Sequence, residues 1–297
     1  IDSPINPTRG KSFFYSLSFE GGPLQGNVNA ITNVFETKYF RPINKRRNVV
    51  GFRLLAAYAT GFSGLVLPPF NRFFLGGEDT IRGFDIRTVG PFAYVPQTTA
   101  PQFFFSDPRQ LDQFGNPILR AVSVPALVYT PTFPGGDTQG VGNIEYRIPL
   151  AGPVTLAVFF DIGVNGVLRR SQLQLDPGGV DLLRKQFPNA TIRNQLNLAS
   201  GSNFKLRTST GIEFVVQLPV VNAPFRIYWA YNLNRLRQTF IAPTGDFFLT
   251  DEFKRSLPPG VLESQILPQL NLLTGTPRPL PFFEPMRTFR FTVSRTF

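Results

Sequence analysis

Two absences limit the chemistry open to this chain: its 297 residues include no cysteine and no histidine. That removes thiolate and imidazole metal ligands, a disulfide framework, Ser–His and Cys–His nucleophile systems and any imidazole general base. The ionic chemistry left is that of basic side chains with carboxylates, 30 Lys+Arg against 19 Asp+Glu for a net charge of +11. The carboxylates are scattered, no phosphate-binding loop is present, and the glycine-rich stretches lack a strand–helix setting. The chain therefore reads as a non-enzyme with no metal and no cofactor. Three runs still stand out. Phe74-Leu75-Gly76-Gly77-Glu78-Asp79-Thr80-Ile81-Arg82-Gly83-Phe84 sets an arginine among glycines, while Asn143-Ile144-Glu145-Tyr146-Arg147 and Phe159-Phe160-Asp161-Ile162-Gly163 each carry a carboxylate inside an apolar run.

The elements that must position these residues are strands. Apolar and polar residues alternate at period two over Phe13–Phe19, Ile31–Tyr39, Val50–Tyr58, Asn143–Leu150, Val154–Ile162, Thr208–Leu218, Phe225–Asn234 and Phe289–Phe297, eight segments in all. No segment carries a helical period, and none approaches the roughly 18–20 apolar residues of a spanning helix. Composition agrees with a membrane-spanning sheet: 42% of residues are hydrophobic, 32 are Phe, and only 16% are charged, against a globular average of about 25%. The polar faces hold Arg, Glu, Ser, Thr and Asn, so a soluble two-sheet sandwich would bury the wrong residues. In lipid the same pattern is required, because a closed barrel satisfies its backbone and hides polar side chains inside.

Connections alternate as strictly as strands. Short ones cover Arg41–Asn48, Ala151–Pro153 and Pro219–Pro224; long ones cover Thr60–Gly142, Gly166–Phe204 and Leu236–Pro285. Short turns on one side and long loops on the other is the layout of a bacterial outer-membrane barrel. Alternation puts Glu145, Phe159 and Asp161 on the inward face, with Arg53, Arg147, Arg207, Arg226 and Arg290. Arg41, Lys45, Arg46 and Arg47 crowd one short turn, and Tyr39, Tyr58, Trp229 and Tyr231 suit the interfacial girdles. Because most aromatics face away from the charge, nucleic acid is not an expected partner. The chain opens Ile-Asp-Ser-Pro, without initiator Met or signal segment, as a processed chain or a piece of a longer one would.

The Phe74–Phe84 run, with Val89-Gly90-Pro91 behind it, resembles the lid-loop signature of the BamA family, the bacterial surface antigen superfamily. Phe159-Phe160-Asp161-Ile162-Gly163 resembles that family's Phe-x-Asp-x-Gly element, and Glu145 stands where the family has an acidic strand residue. The closing Phe-Arg-Phe-Thr-Val-Ser-Arg-Thr-Phe, with Phe289, Phe291, Val293 and Phe297 on one face, resembles an outer-membrane targeting strand. The resemblance implies an all-β, antiparallel transmembrane barrel with long extracellular loops and an inward-folded lid loop. The eight strands would match the last eight of sixteen, or close on themselves, or pair with a second copy. Residues 1–297 would then be a single outer-membrane barrel domain, without the periplasmic polypeptide-transport-associated (POTRA) domains.

For the site, the resemblance implies a lid of Gly76, Gly77, Ile81, Arg82, Gly83 and Phe84 seated on Glu145, Phe159, Asp161 and Gly163. Arg82 would pair with Asp161 or Glu145, the alternative being a solvated loop arginine. The implied function is folding and inserting β-barrel proteins into the outer membrane. The implied partners are outer-membrane lipids, unfolded barrel clients, POTRA domains and accessory lipoproteins. Two other functions fit: a two-partner-secretion transporter of the same superfamily, and a passive structural or porin-like barrel.

Overall fold

A computed structural model describes the chain apart from residues 4–5, 25, 45–47, 218–223 and 294–297. Its main element is one antiparallel sheet whose eight strands follow chain order. They are β1 (Gly10–Glu20), β2 (Ala30–Pro42), β3 (Val49–Gly61), β4 (Thr138–Pro149), β5 (Val154–Gly166), β6 (Arg207–Gln217), β7 (Pro224–Asn234) and β8 (Arg287–Val293). Each matches one of the eight alternating runs, because period-two burial fixes both the strand and its facing. Outward side chains are open, with Phe13 72%, Phe289 70% and Trp229 54% exposed, whereas Glu145, Asp161, Glu213 and Arg226 are 1% exposed or less. Register carries that inward row across the sheet. Asn143 faces Asp161, Asp161 faces Ser209, Glu213 faces Tyr228, and Tyr228 faces Arg290.

Among the described residues the eight strands do not close on themselves, and no ladder joins β1 to β8. Neighbouring Phe13 and Phe14 on β1 are 72% and 52% exposed, so both faces of that edge are open.

The long connections, in which no helical period is legible, are partly helical. They contain helices α1 (Pro177–Gln186), α2 (Asp251–Ser256) and α3 (Leu267–Thr274), the last running on from a π-turn at Leu262–Ile266. These helices are six to ten residues long. So short a segment shows fewer than three turns of period, and local signals decide it. Asp176 accepts from the Gly179 amide and Thr250 from the Phe253 amide, both as N-caps. None of the described helices is long and apolar enough to cross a membrane. The connections also pool strands into a second sheet, ordered Asn197–Leu198, Ala93–Thr99, Ala126–Thr132 and Asp246–Phe247. All three long connections contribute to it. Phe103, Phe105 and Val124 of the first then pack on Leu257, Val261, Ile266 and Leu270 of the third. The result is a cap with its own core.

Candidate functional site

After β3 the chain folds back inside the sheet. Leu75 and Val89 exchange backbone hydrogen bonds of 3.0 and 3.3 Å, closing the base of this infolded loop. Its glycines are there for space as well as for backbone freedom. At Gly76 (φ +109°) a Cβ would stand 2.0 Å from the Asp85 carbonyl oxygen; Gly77 is at φ +98°. At Gly83 (φ +89°) a Cβ would stand 2.3 Å from Asn232 Oδ1 and 2.8 Å from Ala230 Cβ, so the tip presses on β7. Ile81 is fully buried, and its Cδ1 occupies the place a Cβ on Gly163 would need, 2.2 Å away. Phe84, also fully buried, packs with Leu75 and Val89 of the loop, Leu55 of β3 and Val141 of β4.

Between these two apolar residues Arg82 enters the wall, 1% exposed. Its Nε and Nη2 donate to Asp161 Oδ2 and Oδ1 at 2.8 and 2.7 Å, a bidentate fork, and its backbone N–H reaches Oδ2 at 3.0 Å. Nη1 donates to Glu145 Oε1 at 2.5 Å and to Glu213 Oε2 at 2.8 Å. The guanidinium carbon lies 3.8 Å from the ring centre of Phe159, which gives the cation an aromatic floor. Two carboxylates keep an arginine of their own. Arg147 binds Glu145 at 2.7 Å, and Arg226 binds Glu213 at 2.6 Å. Three arginines and three carboxylates thus neutralise one another out of water, the condition for burying any of them. Asn143 Nδ2 adds a bond to Asp161 Oδ1 and another to the Thr80 carbonyl, both 2.8 Å.

The rest of the loop is held by neighbouring strands. Arg53 of β3 donates to the Asp79 carbonyl at 2.6 Å. The Gly83 carbonyl accepts from Asn232 of β7 at 2.8 Å and from Thr288 of β8 at 2.7 Å. Arg290 of β8 pairs with Asp85. One short segment therefore touches every strand from β3 to β8. Laid flat, six strands would span about 24 Å at the usual spacing, so the sheet curls around the loop.

The model of the Omp85 superfamily domain matches residues 1–242. The chain belongs to the Omp85 superfamily. It is similar to the outer membrane protein assembly factor BamA of Nitratidesulfovibrio vulgaris, 28% identical over 166 residues, covering 55% of this chain and 17% of that protein. It is also similar to the crystal structure of BamA from Haemophilus ducreyi lacking POTRA domains 1–3. There the identity is 17% and the TM-score 0.49, covering 83% of this chain and 40% of that one. The chain thus spans less than half the length of either relative. As an Omp85 chain it is a bacterial outer-membrane protein, and its eight-stranded sheet is transmembrane β-barrel wall.

Glu213 and Arg226 are part of the cluster, although sequence reasoning named only Glu145 and Asp161 as acceptors. The missed signal was in the pattern: β6 alternation puts Glu213 on the inward face with Arg207, and Arg226 is inward on the next strand. A second buried pair, Arg207 with Glu284 at 2.7 Å, ties the third long connection to β6. It could not be read in advance, since Glu284 lies in no periodic segment. At the other end of the wall, Phe289, Phe291 and Val293 are 70%, 70% and 58% exposed on the outer face. Phe297 and the Lys45–Arg47 turn lie outside the described residues.

Proposed function

We propose that residues 1–297 form one barrel domain, the carboxy-terminal part of the barrel of a machine that folds and inserts β-barrel proteins into the outer membrane. The role is non-enzymatic. One observation supports it most: the loop that plugs the interior is anchored on β8, whose other edge has no ladder partner among the described residues. Free N–H and C=O groups on an edge strand recruit further strands. In an assembly machine they would template an incoming strand by β-augmentation, and movement of the loop would be felt by β8 through Thr288 and Arg290. The name of the Nitratidesulfovibrio relative, an outer membrane protein assembly factor, agrees with this reading. The partners are then unfolded barrel clients and outer-membrane lipids, with POTRA domains and accessory lipoproteins delivering the clients. The loop residues Gly76, Gly77, Ile81, Arg82, Gly83 and Phe84 act as the lid, with Glu145, Phe159, Asp161 and Gly163 as its seat.

These 297 residues hold no cysteine, so a Thr292→Cys change on β8 puts a single thiol into this part of the barrel. In the full-length protein, reconstituted in liposomes, it should form a disulfide with a cysteine on the terminal strand of an arriving client. Client folding without that disulfide at any β8 position would sink the proposal. Export of a soluble polypeptide without client insertion would point instead to two-partner secretion.

A further inference from the structure

On the outer surface of the wall a groove of 480 Å³ crosses strands β5 to β8, within the range of about 300–1,000 Å³ usual for ligand sites. Its lining includes Val158 of β5, Thr210 and Ile212 of β6, Trp229 and Tyr231 of β7 and Arg287 of β8. Register explains the grouping. Thr210, Tyr231 and Arg287 share one row across the sheet, and Val158, Ile212, Trp229 and Phe289 share the next row towards the short turns. Val158, Ile212, Trp229, Tyr231 and Arg287 are all exposed, so the groove is open to whatever surrounds the wall. The Thr210 hydroxyl is already spent on the Phe159 carbonyl, 2.8 Å away.

Arg287 sets this groove apart from ordinary lipid-facing surface. It is the first residue of β8, at the long-loop end, and stands outward beside Tyr231. Among the described residues neither its guanidinium nor the Tyr231 hydroxyl has a hydrogen-bond or ionic partner. No carboxylate lines the groove. A cation on the lipid side of a barrel must find its counter-charge at the headgroup level. Trp229 and Tyr231 mark that level, as aromatic girdle residues do.

We propose that the groove seats an anionic lipid with a phosphate headgroup. The phosphate takes the Arg287 guanidinium, whose fork matches phosphate oxygens, and the Tyr231 hydroxyl donates to a further oxygen. One acyl chain lies along Val158, Ile212 and Trp229, held by the burial of apolar surface. A zwitterionic lipid offers the same chain but brings its own ammonium to the arginine, so the site selects for net negative charge. The inference rests on which face of the wall meets lipid, and not on the assembly reading.

Trp229 is itself the reporter. The full-length protein is placed in phosphatidylcholine nanodiscs that contain a small fraction of brominated lipid, either phosphatidylglycerol or phosphatidylcholine, whose chains quench a touching indole. Subtracting the emission of a Trp229→Phe variant isolates the signal of this residue. Phosphatidylglycerol should occupy the groove about fivefold more readily, the usual worth of one arginine at an anionic surface. Arg287→Gln should remove that preference and leave quenching by brominated phosphatidylcholine as it was, which shows the wall intact. Leu17→Trp, outward on β1 and combined with Trp229→Phe, should report no preference. Equal quenching by the two lipids in the parent would overturn the inference. So would a preference that survives Arg287→Gln, or one as large at Leu17, since either means general attraction to a basic protein rather than a site.

Discussion

Arg82→Ala should cost more than Asp161→Ala, and the double variant should cost about as much as Arg82→Ala alone. Without Arg82, Glu145 keeps Arg147 at 2.7 Å and Glu213 keeps Arg226 at 2.6 Å. Asp161 keeps the Asn143 amide at 2.8 Å, and the cluster is left with one uncompensated buried charge. Leaving such a charge costs about 3–5 kcal/mol, so about 4 kcal/mol is expected. Without Asp161 the cluster also holds one uncompensated charge, here positive. Arg82 still reaches Glu145 and Glu213 and keeps its Phe159 floor, so the loss is about 3 kcal/mol, the low end of the same range. The double variant removes equal and opposite charges and should cost about 4 rather than about 7 kcal/mol, a coupling of about 3 kcal/mol. Arg82→Lys should recover little, since an ammonium cannot fork onto Asp161 while reaching the other two carboxylates. The assay is urea unfolding in phospholipid vesicles, followed by the fluorescence of Trp229, the single tryptophan of the chain. Heat-modifiability on gels gives an independent reading. Single effects that add to within about 0.5 kcal/mol would refute the reasoning, because independent sites behave in that way.

Gly83→Ala should destabilise the loop by about 1–3 kcal/mol, since the new Cβ falls 2.3 Å from Asn232 Oδ1 at a positive φ. Faster deuterium exchange over 74–84 would show it, and unchanged protection would count against a seated tip. On the outer face, Val158→Arg and Ile227→Arg should each cost about 2–4 kcal/mol if they lie near the midplane; parental stability in vesicles would reverse the assignment of faces. In the cap, burial would raise the Asp107 carboxyl, but hydrogen bonds from the Arg109 backbone and the Arg120 and Arg109 side chains hold it below its ordinary value. Its contribution is therefore present above the ordinary carboxylate range and lost as pH falls through the lowered value. The hairpin of Gln102–Leu111 with Pro117–Ser123 should loosen at acid pH in the parent, and Asp107→Asn should abolish that pH dependence.

The wall was legible because lipid makes strand facing nearly binary. Val158 outward and Asp161 inward follow from parity alone once the run Val154–Ile162 is seen. Family resemblance supplied the pairing of Arg82 with Asp161, which parity could not, since Arg82 lies in no periodic segment. Glu213 was legible as an inward carboxylate yet went unconnected, because its distance from Arg82 depends on how far the sheet curls. The cap was least legible. Its helices are too short to show a period, and its sheet is assembled from fragments as small as Asn197–Leu198 and Asp246–Phe247. Pairing across more than a hundred residues leaves no local pattern. Phe103 and Leu270 become core only once two distant connections meet.

The make-up of the cluster bears on the opening that the proposed function requires. A charge-balanced buried network contributes little net stability, because desolvation offsets attraction. Its use is therefore geometric. The fork on Asp161, with single bonds to Glu145 and Glu213, admits one orientation of Arg82 and so one seat for the loop. The hold comes mainly from Ile81 and Phe84, each worth about 1.5–3 kcal/mol when fully buried. In the proposed opening, Arg147 and Arg226 would stay on their carboxylates. Asp161 would be the one group of the seat left for water to solvate, while Arg82 is hydrated on the withdrawn loop. An apolar plug of the same size would leave a bare hydrophobic hollow facing water. The arrangement thus combines one well-defined closed position with an open seat that has a single charge to hydrate. A loop that must leave and return to the same seat needs both properties.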